Sequence, residues 1–302
     1  ISQTLENRIR QWAHPGVTLE LKWHQDSEKA VRIEEPFAQV ILGEADFKGE
    51  LPRFGHGLQR SFLLALLEEL SGNSAESGSR LILACEEPEL YQHPPQARHL
   101  HNILLKLSEQ NSQILITTHS PYFVSGEAFE SIRVVRKLNG ASSFTRTTYQ
   151  DVAKQISNAQ GQQAVKASGQ LAKIHQVLQS GLNEMFFASR IVFVEGLEDT
   201  AYLTTYLHLL NLWDNFRRLG CHIIPTHGKS EMIQPLAVAR CLQIPTFVVF
   251  DSDGDKPDKS GSKAKHQKDN VAILRLCGVD ASDHDAFPED TLWRNNVVMW
   301  YS

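Results

Sequence analysis

No apolar run in these 302 residues approaches the ~18 needed for a membrane-spanning helix, and no signal-peptide pattern opens the chain. No membrane partner is therefore expected. Cysteine is scarce: Cys85, Cys221, Cys241 and Cys277 show no CxxC spacing, which excludes a zinc ribbon and a disulfide framework. Cys85 and Cys221 lie in or beside apolar runs and read as buried thiols in a reducing cytoplasm. A basic excess is also missing. Thirty lysines and arginines against 35 acids leave a formal net charge of -5, so any nucleic-acid contact must be local or bridged by metal. Methionine is absent from position 1, as in a piece of a longer protein. What remains is ordinary globular composition, with length for two domains that each bury a core.

The most informative feature is a pair of acidic clusters, each placed where an apolar run ends. Ile191-Val192-Phe193-Val194 leads into Glu195-Gly196-Leu197-Glu198-Asp199. Phe247-Val248-Val249-Phe250 leads into Asp251-Ser252-Asp253-Gly254-Asp255. Both runs have the length and the β-branched or aromatic content of buried strands. In an open α/β sheet, ligands bind beyond the carboxyl ends of the strands. Adjacent strands would gather several carboxylates there, which repel one another unless a cation joins them. Oxygen-only ligands favour a hard ion, Mg²⁺ or Mn²⁺.

Along the chain, residues 1–16 read as a helix stopped at His14-Pro15-Gly16, and Val17–Trp23 as a half-buried strand, with a further strand at Ala38–Leu42. Leu58–Leu70 is a leucine-rich helix ended by Ser71-Gly72, before a polar loop over 71–79. Leu81–Cys85 reads as a short buried strand, Gln96–Gln110 as an amphipathic helix, and Ile114–Thr117 and Ile132–Val135 as strands. Residues 151–188 carry apolar side chains at helical spacing and read as helices joining two domains. Strand 191–195, helix 199–211, strand 221–226, helix 230–241 and strand 246–250 then alternate, which implies a mostly parallel sheet with covering helices. Residues 256–268 read as a lysine-rich loop, followed by helix 269–276 and a last apolar run, Val297–Trp300.

Three motifs of the first half stand in order. Phe54-Gly55-His56-Gly57-Leu58-Gln59-Arg60 precedes a helix, where small residues let backbone N–H groups approach a phosphate and Gln59 or Arg60 adds a side chain. Leu81–Cys85 runs into Glu86-Glu87-Pro88-Glu89, the form of a Walker B element. One carboxylate there, Glu86, would hold Mg²⁺ and the next, Glu87, would polarise the attacking water. Thr118-His119-Ser120-Pro121 follows the next strand, where a histidine can sense a γ-phosphate. Taken singly, an acid pair after a strand is more often a helix entry, a lone histidine is more often structural, and a GxG is weak. Their order carries the signal.

Together these motifs resemble those of ATP-binding cassette ATPases of the SMC and OLD type. Gly55–Arg60 is similar to that family's signature, with Gly55, Gly57, Gln59 and Arg60 as the nucleotide-facing residues; Glu86 and Glu87 fall in its Walker B and His119 in its switch. The usual first Walker B acid is Asp, so Glu86 departs from the pattern. In that family one subunit's signature covers the nucleotide of another, which implies ATP and a homodimer through the ATPase domain. No GxxxxGK[ST] phosphate loop exists here. Gly228-Lys229-Ser230 does not complete one, because its first glycine would fall at Ile223.

The second half resembles Toprim domains, in which a glutamate after one strand and a DxD after another hold metal. Glu195-Gly196 and Asp251-Ser252-Asp253 match those motifs. Asp199, about one helical turn beyond Glu195, is similar to the second-metal acid of nuclease-like members. A calcium loop fails at Lys256 and Ser262, and two rivals stay open: a phosphate-accepting Asp, and solvated acids without a ligand. Lys229 either touches a phosphate or caps a helix, and Phe287-Pro288-Glu289-Asp290 either adds acids or forms a polar turn. Lysines 256, 259, 263, 265 and 268 either track a DNA backbone or solvate a loop.

The whole is similar to the OLD (overcoming lysogenisation defect) family, a layout that Gabija-type nucleases share. The expected fold is α/β: the C-terminal part of an ABC-type ATPase domain in 1–150, a helical linker over 151–188, and a Toprim domain over 189–302 with a mostly parallel sheet. The resemblance implies an ATP-gated, metal-dependent DNA endonuclease or nickase of phage defence or DNA repair. Glu195, Asp199, Asp251 and Asp253 would be the ligands of one or two Mg²⁺ or Mn²⁺ ions, with Asp255 in the outer shell and Glu87 serving ATP hydrolysis. The alternative is an ATP-driven DNA clamp or sensor whose Toprim domain does not cut. Supercoil relaxation through a tyrosine ranks below both.

Overall fold

The computed structural model describes residues 2–12, 16–24, 37–44, 46–74, 81–110, 112–138, 140–162, 167–178, 180–255, 257–258, 262–294 and 296–301. The chain divides into two compact units, Ile1–Phe123 and Val124–Ser302.

The first unit opens with α1 (Ser2–Trp12), followed by an antiparallel sheet of β1 (Val17–His24), β2 (Phe37–Glu44) and β3 (Phe47–Glu50). Leu5 and Ile9, four residues apart on one helix face, share a core with Val17, Leu19 and Leu42. Next comes α2 (His56–Ser74), longer than its leucine pattern at both ends. Gly72 does not stop it: one glycine inside a helix costs about 1 kcal/mol, and the packing of Phe62, Leu64 and Ala65 in the core offsets that. Then follow β4 (Leu81–Glu86), α3 (Pro94–Glu109) and β5 (Ser112–Thr117), a strand–helix–strand unit with β4 and β5 parallel. Leu100, Ile103, Leu104 and Leu107 of α3 join the core, as do Leu83, Ile114 and Ile116. The opposite face is open: Ile82 is 74% exposed and Leu115 69%. β4 is therefore half-buried, not buried as its apolar run suggests, because α3 covers one side of this two-stranded pair.

The second unit begins with a hairpin of β6 (Val134–Leu138) and β7 (Ala141–Thr145), then α4 (Tyr149–Gln160), α5 (Ala167–Val177) and the single turn α6 (Ser180–Asn183). An alternating series follows: β8 (Arg190–Val194), α7 (Leu197–Leu209), α8 (Trp213–Arg218), β9 (Cys221–Pro225), α9 (Lys229–Cys241), β10 (Thr246–Asp251), α10 (Ser262–Leu276), β11 (Leu292–Arg294) and β12 (Val297–Trp300). The sheet order is β11-β12-β10-β8-β9, parallel except for β11. Period-two alternation gives it two apolar faces. Ile191, Phe193, Val248, Phe250 and Met299 face a core that includes residues of α4, α5, α9 and α10. Val194, Ile223, Val249 and Val298 face Leu203, Trp213 and Phe216.

Several expectations change. Val152, Ala159, Ile174 and Leu178 lie in the core of the second unit, so the segment read as a joining linker packs as part of that unit. The lysine-rich loop is shorter than expected. Lys, Ala and Gln are good helix formers, and α10 starts at Ser262, putting Lys263, Lys265 and Lys268 on a helix; Lys256 and Lys259 lie outside the described residues. The helix expected over 199–211 ends at Leu209, with Asn211 in the left-handed region (φ 57°) before α8. All four cysteines are free thiols, but only Cys277 is buried. Cys85 is half-exposed with its strand, and Cys221 starts an edge strand.

Candidate functional site

β8 and β10 are adjacent and parallel, pairing Ile191 with Thr246 and Phe193 with Val248, so their carboxyl ends meet at one edge of the sheet. Glu195 follows β8 directly and Asp251 is the last residue of β10. Glu195 Oε1 accepts a hydrogen bond from the Asp251 amide at 2.9 Å. Burial pushes the Glu195 carboxyl above the usual carboxylate range, against the pull of the Asp251 amide and the Lys229 ammonium, and the negative charges of Asp253 and Asp251 push it the same way.

Asp253 adopts the left-handed conformation (φ 57°) and is buried. Its Oδ2 lies 2.7 Å from Lys229 Nζ and 3.1 Å from His266 Nδ1. Lys229 is the first residue of α9 and is itself buried. Its ammonium also donates to the backbone oxygens of Asp251 (2.5 Å) and Ser252 (3.3 Å). Neither role expected for Lys229 describes it: the side chain turns inward to the DxD loop. Gly228 makes this turn possible. Its φ of 121° and ψ of 160° lie where essentially only glycine is found, and its amide donates to Glu195 O at 2.8 Å. Behind the loop, Asn270 Nδ2 donates to Ser252 O at 2.8 Å and to Ala286 O at 2.7 Å, and Ser230 Oγ donates to Asp269 Oδ2 at 2.6 Å.

Glu195, Asp251 and Asp253 thus converge. Asp199 commits one oxygen to its own helix, accepting from the Gly196 amide at 2.9 Å, while Asp255, Glu289 and Asp290 are exposed. Among the described residues, no group of three or more His, Cys, Asp or Glu side chains stands ready to hold a metal ion. The Asp253 carboxylate already meets the Lys229 ammonium. His266 escapes sequence reasoning because it reads as loop, and Asp269 and Asn270 because they read as the bare start of a helix; all three lie on one helix, Ser262–Leu276, and their spacings of three and four were the available signal. A cleft of about 380 Å³ opens elsewhere in this unit, lined by Cys277, Asp280, Asp285 and Arg294 among others, and includes none of the converging acids.

In the first unit, parallel pairing puts Glu86 opposite Thr117, and Glu87, also left-handed (φ 43°), donates its amide to Thr117 O at 2.8 Å. His119 Nε2 stands 3.5 Å from Glu87 Oε1. Thr118 Oγ1 donates to Glu89 and accepts from the Ser120 amide, which holds the two post-strand segments together. Gly55 O accepts from Leu58 N and Gln59 N at the start of α2. A Cβ on Gly57 would come 3.1 Å from Tyr91 O, tight enough to favour glycine. Gln59 and Arg60, expected to add a phosphate contact, donate to backbone oxygens: Gln59 to Phe54 O at 2.7 Å and Arg60 to Glu87 O.

Comparison with known proteins agrees with this two-part layout. Residues 4–124 match the AAA ATPase domain family, and residues 186–253 match the TOPRIM domain of overcoming lysogenization defect protein-like proteins. The Old nuclease of Escherichia phage P2 is 27% identical over 210 residues, 68% of this chain and 34% of that protein. The OLD nuclease of Thermus scotoductus is 25% identical over 243 residues, covering 78% and 43%, and the endonuclease GajA of Bacillus cereus is 28% identical over 264 residues, covering 79% and 36%. The chain therefore spans about a third to two-fifths of the length of these relatives. Among solved structures, an Smc head bound to the C-winged helix domain of ScpA aligns with 48% of this chain and 41% of that one at 12% identity and a TM-score of 0.38. The chain joins an AAA ATPase domain to an OLD-like TOPRIM domain, with an α/β fold containing parallel sheets.

Proposed function

We propose that this chain is part of a divalent-metal-dependent DNA endonuclease or nickase gated by ATP, acting in phage defence or DNA repair. The observation that carries the reading is the convergence of Glu195, Asp251 and Asp253 at the carboxyl ends of adjacent parallel strands, within a TOPRIM match and beside relatives named as nucleases. The donor set fits a hard cation: all three side chains offer oxygen, and their mutual repulsion adds to the burial that raises the Glu195 carboxyl. Bound there, Mg²⁺ or Mn²⁺ would activate a water and stabilise the leaving oxygen of a phosphodiester. Glu195, Asp251 and Asp253 supply the ligands, Asp199 offers its second oxygen, and Asp255 serves in the outer shell. Lys229, Asn270 and Gly228 hold the backbone from which Asp251 and Asp253 project.

The ATPase domain supplies the gate. Glu86 is assigned to Mg²⁺ of the nucleotide, Glu87 to the attacking water and His119 to the γ-phosphate. Gly55, Gly57, Gln59 and Arg60 are assigned to the face that meets a second subunit's nucleotide in a homodimer. On this reading the unit Ile1–Phe123, not the whole of the expected 1–150, serves ATP and residues 189–302 serve DNA, in the cytoplasm.

Plasmid nicking with Mg²⁺ or Mn²⁺ tests the proposal. Glu195→Ala and Asp253→Ala should each abolish metal-dependent cleavage, and undiminished cleavage in both would sink it. The ammonium against Asp253 favours one alternative, a TOPRIM domain that binds DNA as an ATP-driven clamp without cutting. Retention of plasmid with no nicking in either metal would support that reading.

A further inference from the structure

Lys229 places an ammonium inside the carboxylate cluster. Its side chain and that of Asp253 are both 4% exposed, so solvent screens the pair little. An ammonium has three donors. Here they face Asp253 Oδ2 at 2.7 Å, Asp251 O at 2.5 Å and Ser252 O at 3.3 Å. The two backbone oxygens belong to the DxD loop, so the lysine stays anchored even without the carboxylate. His266 Nδ1 stands beside the same Oδ2 at 3.1 Å. A divalent ion that uses Asp253 therefore binds a carboxylate whose Oδ2 already faces a cation, and must approach that cation closely.

We propose that Lys229 is a resident counter-cation of this cluster, which a divalent ion displaces from Asp253, so that Lys229 sets the metal affinity of the site. The inference rests on the metal reading above and goes beyond it. Lys229 is a positioning residue that acts through Asp253. Its two roles, counter-cation and loop clamp, predict opposite results when the charge is removed. Loss of a clamp alone loosens the DxD loop and weakens metal binding, whereas loss of a competitor tightens it.

The test is Mn²⁺ binding to the 302-residue chain, read by electron paramagnetic resonance of the free ion. Lys229→Gln should bind Mn²⁺ about tenfold more tightly than wild type, the size of one charge-assisted hydrogen bond no longer in competition. Lys229→Arg, which keeps the charge, should stay near wild type. In an Asp253→Asn background Lys229→Gln should change nothing, since the contested carboxylate is gone. Equal or weaker binding by a folded Lys229→Gln overturns the inference. Should that variant fail to fold, wild-type protein with ¹⁵Nζ-labelled lysine decides the matter. Mg²⁺ should move the Lys229 ammonium resonance with the midpoint of the binding isotherm, and a resonance unmoved at saturation overturns the inference. A wild type that takes up no Mn²⁺ overturns the metal reading and this inference together; uptake without the predicted tightening overturns this inference alone.

Discussion

Replacing Asn270 by alanine should be among the costliest single changes in the second unit, although Asn270 is remote from solvent and carries no charge. Its side chain is fully buried, and Nδ2 ties Ser252 of the DxD loop at 2.8 Å to Ala286 at 2.7 Å. Each such bond contributes about 0.5–1.5 kcal/mol net, and a buried acceptor stripped of its donor costs about 1–3 kcal/mol. The two losses are unequal. Ser252 O keeps the Lys229 ammonium at 3.3 Å, so the larger share falls on Ala286 O, in a residue with no exposed surface. Removing Asn270 Oδ1, a buried oxygen without a hydrogen-bond partner, returns part of the cost. The sum is a destabilisation of roughly 2–4 kcal/mol. For a unit of this size each kcal/mol lowers the melting temperature by about 2–4 °C, so a fall of about 5–15 °C should appear in thermal unfolding followed by circular dichroism. Asn270→Asp should be at least as damaging, because it turns a carboxylate toward two carbonyl oxygens. Stability within about 0.5 kcal/mol of wild type, the range of ordinary surface substitutions, would refute the claim that Asn270 pins the loop.

Gly228→Ala should cost about 1–3 kcal/mol in urea unfolding. A Cβ there meets nothing within 4 Å, so the cost would be torsional and a neutral result would refute the assigned backbone strain. Burial pushes the Cys277 thiol up to about 12, so at pH 8 it should be the last of the four cysteines alkylated by iodoacetamide, as read by mass spectrometry; early labelling would contradict its burial. In a longer chain that carries a phosphate loop, Glu87→Gln should trap bound ATP, and unchanged ATP turnover would remove Glu87 from the hydrolytic role.

Much of the site was legible because it depends on local order. Apolar runs of four with acids at their ends mark strand termini in any parallel sheet, so Glu195, Asp251 and Asp253 could be paired before any fold was known. The succession of Gly55–Arg60, Glu86-Glu87 and His119 likewise follows from the alternation of strand and helix. The layout of an ATPase part before a TOPRIM part rests on those same motifs.

What sequence could not carry was direction and partnership. Gln59 and Arg60 have the chemistry of phosphate contacts, yet the chain turns them to Phe54 and Glu87 carbonyls. Lys229 could equally face solvent, a phosphate or a helix end. Only the φ of Gly228 and the approach of β10 turn it onto Asp253. His266 and Asn270 reach the DxD loop across about fifteen residues because α10 folds back over it, a contact that no local pattern encodes. Strand ends and residue types are short-range properties, set by periodicity and composition. The place of an ammonium among carboxylates is long-range, decided by packing, and on it depends whether this acidic cluster waits open for a metal or already holds a charge of its own.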